Sequence, residues 1–283
     1  NIFKFGEINM KWFAFVALIF CCFPMIAIAT PGELDSTFNG TGRAKFKFGQ
    51  SNDGVRASAL QTDGKIVVVG SISIGGPTLD FGIARFNTDG TLDTSFDSDG
   101  IVATDIDFNE NAATAVAIQP DGKIVVAGFA RASPAFSIDF AVVRYESTGS
   151  RDFTFGTAGI VTTPVGTGDD WPTSIAIQTD GKIVVGGYTS TINGEDYADG
   201  SLDPAFDTDG IVVTDIAGDN DRANAINLQT DGKIVASGHS NTGLDVFSLV
   251  RYNTNGSLDV TFDGDGIVTT RGTNLSNAAL IQP

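Results

Sequence analysis

Cysteine is almost missing from this chain of 283 residues. The two present, Cys21 and Cys22, are adjacent and lie in an N-terminal apolar run. A disulfide framework, a zinc ribbon and a thiol nucleophile are therefore excluded for everything that follows that run. Histidine occurs once, as His239, too little for a histidine-based triad or a histidine metal centre. Positive charge is scarce, with 17 Lys and Arg against 34 Asp and Glu and a formal charge of −17. Such a chain repels phosphate backbones and anionic membrane surfaces, which argues against a nucleic-acid partner. Sustained helical periodicity is also lacking. What is abundant is glycine, 34 residues, with 42% hydrophobic residues in Val-, Ile- and Phe-rich stretches. That is the composition of many short strands joined by tight turns, with ample material for a core.

The N-terminus differs from the rest. From Met10 it reads MKWFAFVALIFCCFPMIAIAT, with a positive Lys11, an apolar run and Ala27-Ile28-Ala29 before Thr30. These are the three parts of a secretory signal peptide, so translation is expected to start at Met10 and cleavage to follow Ala29. Pro24 interrupts the run and no stop-transfer charges follow, so no transmembrane segment is expected after cleavage. The expected division is 1–29, upstream extension plus signal, and 30–283, one repeat domain outside the cytoplasm. Both cysteines leave with the signal, so stability must come from packing.

Repetition is the strongest signal in the remainder. Asp-Gly-Lys turns start at Asp63, Asp121, Asp180 and Asp231, giving spacings of 58, 59 and 51 residues (121−63, 180−121, 231−180). A second marker moves with them: GELDSTFNGTG at Gly32, GTLDTSFDSDG at Gly90, GSRDFTFGTAG at Gly149, GSLDPAFDTDG at Gly200 and GSLDVTFDGDG at Gly256. Each unit divides into four strands, as in TAVAIQ, a Pro-Asp-Gly turn, KIVVAGF, DFAVVRY and a final strand like GIVATDI. The Ile-Val-Val runs are apolar on both sides and need cover on both faces, which neighbouring units would supply. The fold class is therefore all-β, a β-propeller-like array of four-stranded blades with four units and the start of a fifth. Leu92 and Phe96, like Leu202 and Phe206, are four apart and are expected on one helical turn facing the gap between blades.

On these residues the pattern AIQPDGKIVVAG…DFAVVRYE…GSLDxxFDxDGIVTT resembles the delta-60 repeat, a tandem unit of secreted and surface bacterial proteins. The resemblance runs from Gly32 to Pro283. It implies a propeller-like extracytoplasmic scaffold and brings no catalytic residue with it. Two departures stand out. The third unit lacks about six residues after Tyr197, predicting a stunted or absent third strand and an exposed sheet edge. The chain stops in NAALIQP, the first strand of another unit, which suggests a fragment of a longer array.

Candidate chemistry is thin. The loops holding Asp97 and Asp99, Asp207 and Asp209, and Asp263 and Asp265 place two carboxylates two residues apart before a glycine, a spacing used in calcium loops. The alternative is an Asp-stabilised turn. The matching loops Asn39–Gly42 and Gly156–Gly159 lose the carboxylates and keep the last glycine, which favours the turn. No cofactor is expected, with calcium as the exception. Asp169-Asp170-Trp171 has the look of a sugar-binding cluster, but its place before a first strand favours a structural role. A carbohydrate-active propeller enzyme is thus the least favoured reading. Loops between the second and third strands vary most between units, and Arg131, Phe136, Trp171 and His239 are the ligand-contact candidates. The expected function is a non-catalytic scaffold contacting a protein or glycan outside the cell, or alternatively a spacer with calcium-stabilised loops.

Overall fold

A computed structural model describes residues 33–49, 53–74, 76, 78–106, 109–131, 137–191, 194–200, 203, 205–216, 218, 220–241 and 243–271. The signal segment, Phe136 and the terminal NAALIQP lie outside these residues. The chain divides into two compact units, Asn1–Ala44 and Lys45–Pro283. In the first, the earliest marker forms a turn of its own: Asp35 Oδ1 accepts from the Thr37 amide and hydroxyl, and Gly42 N–H donates to Phe38 C=O at 2.7 Å.

Among the described residues the second unit holds sixteen strands in four antiparallel meanders. The first sheet is β1 (Gly54–Leu60), β2 (Ile66–Ile72), β3 (Asp80–Phe86) and β4 (Ile101–Thr104). The second is β5 (Asn111–Ile118), β6 (Ile124–Arg131), β7 (Ile138–Tyr145) and β8 (Ile160–Thr163). The third is β9 (Asp170–Ile177), β10 (Ile183–Thr191), β11 (Gly194–Gly200) and β12 (Ile211–Thr214). The fourth is β13 (Asp221–Leu228), β14 (Ile234–Asn241), β15 (Asp245–Tyr252) and β16 (Ile267–Arg271). Each sheet packs on the next, first on second, second on third, third on fourth. The buried clusters follow those seams, so strands such as β6 are buried almost throughout, as their apolar runs require.

First strands carry a bulge at the same place in every unit, between Val55 and Ala57, Ala113 and Ala115, opposite Gly186 and Gly187, and between Ala223 and Ala225. A bulge re-aims one side chain. Here the re-aimed Thr114 hydroxyl donates to Pro172 C=O, and that of Thr173 to Ala223 C=O, both at 2.8 Å, linking each first strand to the next sheet. The glycine opposite is obligatory: a Cβ on Gly128 would stand 2.2 Å from Ala112 O.

Two expectations are corrected. No helical turn carries Leu92 and Phe96. Leu92 is an isolated bridge partner of Phe86, and Phe96 sits in a tight turn whose N–H donates to Asp93 C=O at 3.0 Å. Nor is the third strand of the third unit absent or left as an open sheet edge, although it ends two residues early. β11 spans seven residues and pairs with β10 on one side and β12 on the other. Between Tyr197 and Leu202 this unit has four residues, 198–201, where Phe81 to Leu92 has ten, 82–91. The register, with Gly200 opposite Ile211 as Ala84 is opposite Ile101, shows that Ala198–Gly200 are drawn into the strand. What disappears is the strand's last two residues, the counterparts of Arg85 and Phe86, and the turn after them. Interior strands leave their backbone groups no other partners, whereas a surface turn is dispensable.

The seams share one deeper device. Tyr145, at the end of β7, is fully buried against the first sheet and hydrogen bonds Thr104 Oγ1 at 2.7 Å. Tyr252, at the end of β15, does the same to Thr214 at 2.8 Å. Burial pushes the Tyr145 phenol up, so it stays neutral and can donate. Tyr145→Phe should lower stability by about 1–2 kcal/mol by orphaning the threonine hydroxyl. Tyr145→Ala should cost about 3–5 kcal/mol. Denaturant unfolding of both variants, with Thr104→Val as the third arm of a double-mutant cycle, checks the assignment.

Candidate functional site

The residues repeated most faithfully converge on one carboxylate per unit. In the turn Asp63-Gly64-Lys65, Asp63 Oδ1 accepts from Lys65 N–H, and Gly64 takes the positive φ of 83° that closes the hairpin. That turn aims Lys65 Nζ at Asp93 Oδ2, 2.9 Å away, and Arg85 Nε from β3 reaches the same oxygen at 2.7 Å. Asp93 Oδ1 accepts from the Ser95 amide and hydroxyl. The arrangement repeats with Lys123, Arg144 and Thr154 around Asp152, and with Lys233, Arg251 and Thr261 around Asp259. Each arginine also lies over the marker phenylalanine, 4.4–4.5 Å from the rings of Phe96, Phe155 and Phe262.

Burial alone would push the Asp93 carboxyl up. Hydrogen bonds from Ser95 and Lys65 and the charge of Arg85 outweigh it and hold the group well below the usual carboxylate range. Lys123 and Thr154 do the same for Asp152, as Lys233 and Thr261 do for Asp259. In the third unit Asp203 accepts from Lys182 and from the Ala205 amide, but the strand-three arginine has no counterpart. These nodes are committed to structure. Sequence reading missed them because Lys, Arg and Asp lie 8 to 29 residues apart, at no period that a local pattern reports.

The Asp-x-Asp-Gly loops are turns. Asp99, Asp209 and Asp265 each accept from the amide two residues on, at Ile101, Ile211 and Ile267, all at 2.9 Å. Their partners Asp97, Asp207 and Asp263 adopt positive φ of 43–51°, a region Asp tolerates. Burial, then the neighbouring Asp99, pushes the Asp97 carboxyl up. Among the described residues no group of three or more His, Cys, Asp or Glu forms a metal-holding cluster.

The ligand-contact candidates fall at the end of the sheets where second strands finish. Trp171 and His239 stand on strands β9 and β14, not in variable loops, which corrects the placement read from sequence. The Trp171 indole meets Phe129 of the second sheet edge-on at 5.0 Å, and Arg222 lies over the Tyr188 ring at 4.9 Å. Phe129, Tyr188 and His239 occupy one register position, opposite Ala112, Trp171 and Arg222. Arg131 closes β6, donating its amide to Glu110 C=O and approaching the Glu110 carboxylate at 4.0 Å. Phe136 is outside the described residues. The acids beside Trp171 serve the backbone: Asp169 accepts from Ile138 N–H at 3.0 Å, and buried Asp170 from Val165 N–H, Gly166 N–H and the Thr189 hydroxyl. Exposed apolar side chains occur in the variable loops themselves, Ile74 in the first unit and Leu244 in the fourth.

The family described as domain of unknown function (DUF5122) beta-propeller matches residues 61–96, 119–155, 178–196 and 229–262. The four sheets form a β-propeller-like array of repeats. The third match stops at Asp196, where this unit loses its six residues. No curated protein sequence matches the chain. Among solved structures it is similar to a protein of unknown function from Dyadobacter fermentans, with a TM-score of 0.50 and 12% identity over 75% of this chain and 70% of that one. It is also similar to an endo-arabinase from Bacteroides thetaiotaomicron, with a TM-score of 0.42 and 11% identity over 75% and 79%. At these identities the likeness concerns the fold alone. The blades of this propeller are the four sheets described above. No helix of the described residues is long and apolar enough to cross a membrane.

Asp93→Ala leaves the Arg85 guanidinium buried without its counter-ion and should cost about 3–5 kcal/mol. Asp203→Ala, in the blade without the arginine, should cost clearly less, and chemical denaturation of both variants tests the order. The folded pKa values lie below the unfolded value of about 3.9. The nodes' contribution is therefore complete above that value and lost as pH falls through the folded ones, so stability should drop below about pH 4 and less steeply in Asp93→Ala. Thr208, β-branched at φ 76°, holds the position that Gly264 fills in the next blade. Thr208→Gly should raise stability by about 0.5–1 kcal/mol, read from the denaturation midpoint.

Proposed function

We propose that this chain is a non-catalytic propeller scaffold of the delta-60 kind, exported from a bacterium and contacting a protein or glycan outside the cell. The observation carrying this reading is the contrast between carboxylates used inside the blades and apolar side chains exposed on the variable loops. The marker aspartates Asp93, Asp152 and Asp259 bond lysines and arginines, and Asp169 and Asp170 bond backbone amides, which uses these carboxylates structurally. The end of the sheets where units differ most carries exposed Ile74 and Leu244 on its loops. Apolar side chains held out on loops over a rigid scaffold suit recognition better than a spacer, which gains nothing from them.

Export follows from the segment before Thr30, by the signal-peptide logic of its sequence. Expression in a bacterial host should give a mature N-terminus at Thr30 outside the cytoplasm, read by intact mass. Binding to whole bacterial surfaces and to immobilised glycans should fall at least tenfold in Ile74→Ser/Leu244→Ser, with an unchanged melting temperature. Equal retention of parent and variant would instead support the spacer, and turnover of a glycan by the parent would support an enzyme.

A further inference from the structure

The shortened blade removes a side chain that both neighbouring seams contain. At the first-to-second seam Tyr145 fills the space over Phe96, Val102 and Thr104, and at the third-to-fourth seam Tyr252 fills the space over Phe206, Val212 and Thr214. The second-to-third seam presents the same seat, formed by Phe155, Val161 and Thr163. The tyrosine due there would close β11, and its position is one of those the deletion removes. Ile183 and Val184, which in a sister strand face that end, have no partner in β11.

The consequence is visible in the packing. Phe96 and Phe206 are 0% and 2% exposed, whereas Phe155 is only partly buried. Val102, Thr104, Val212 and Thr214 are buried, whereas Val161 and Thr163 are not fully covered. A cavity of about 250 Å³ opens at this place, walled by Phe140, Val142, Phe155, Val161 and Thr163 from one sheet and Ile183 and Val185 from the next. Lys182, Asp203 and Arg144 also line it. Among the described residues no side chain bonds the Thr163 hydroxyl, the group its two counterparts give to tyrosine.

We propose that this vacated seat is a binding site for a small para-substituted phenol. Two blades of the same chain specify the occupant: a six-membered aromatic ring stacked among valines and phenylalanine, with a hydroxyl on the threonine. An apolar cavity of about 150 Å³ is enough for benzene, so the space admits one such ring with a short substituent. The threonine separates phenols from plain arenes, because leaving its hydroxyl unpaired in an apolar seat is costly. The para substituent, where tyrosine would join its backbone, leaves past Lys182 and Asp203. This site lies within a seam and is independent of the loop surface proposed above.

The probe is 4-methylphenol, the tyrosine side chain itself, titrated into the full-length mature protein and read by methyl NMR at Val142, Val161 and Val185. Saturable shifts are expected, with toluene binding about fivefold more weakly and Thr163→Val abolishing that preference. Inserting Arg-Tyr-Asn-Thr-Asp-Gly between Gly200 and Ser201 restores the missing turn. It should raise the melting temperature and abolish 4-methylphenol binding. Val161→Phe, which fills the seat without touching the chain length, should abolish binding too. No saturable shift up to millimolar 4-methylphenol, shifts that persist unchanged in Val161→Phe, or equal affinity for toluene and 4-methylphenol would each overturn the proposal.

Discussion

In three of the four blades a buried aspartate of the marker turn ties together three pieces of chain that would otherwise meet only at the surface. Asp93, Asp152 and Asp259 each take a lysine from the first hairpin, an arginine from the third strand and the amide and hydroxyl of their own turn. The carboxylate offers about four lone-pair directions, and all are used. Such a node is worth little as a bare ion pair, since desolvation offsets much of the attraction. Its value is geometric: it fixes where the strand-three arginine lies, and through it the phenylalanine beneath. In the first blade that phenylalanine, Phe96, is the floor on which Tyr145 of the second blade sits.

The third blade shows which parts of this arrangement are separable. Six residues are gone, and with them the arginine, the tyrosine position and a turn that in sister blades reaches back to the preceding one. Elsewhere that turn accepts a hydrogen bond from the marker loop, Asp97 N–H to Thr148 C=O and Asp207 N–H to Asn255 C=O, at 2.8 and 2.9 Å. The loop that has lost this cap, Gly156–Gly159, is one of the two without carboxylates, and it closes on itself through Thr157 and Ile160. The remaining backbone ladder survives, with Val185–Thr191 still paired to Gly194–Gly200. A propeller blade therefore tolerates loss at its periphery, at the expense of an imperfect seam, because the strand pairing and the bulge-borne threonine links nearer its first strand remain.

Much of the fold was legible beforehand. Four strands per unit, the Asp-Gly-Lys hairpins and the burial of the Ile-Val-Val runs on both faces all follow from periodicity and turn chemistry. Other features were not legible. The lengths that separate Lys65, Arg85 and Asp93 carry no local period. The fate of the deleted segment depended on whether strand or turn would yield. His239 and Trp171 sit beside variable segments, and only strand register could place them on β14 and β9.

The sequence by itself determined the repeat, the alternation of strand and turn, and the acidic, thiol-poor character of the repeat region, because these depend on local backbone preference and composition. Tertiary structure alone decided which tyrosine meets which threonine, which carboxylate is buried, and where the missing residues leave a space. Those outcomes depend on contacts between residues some 40 positions apart, whose energies become defined only when two sheets are pressed together and water is excluded.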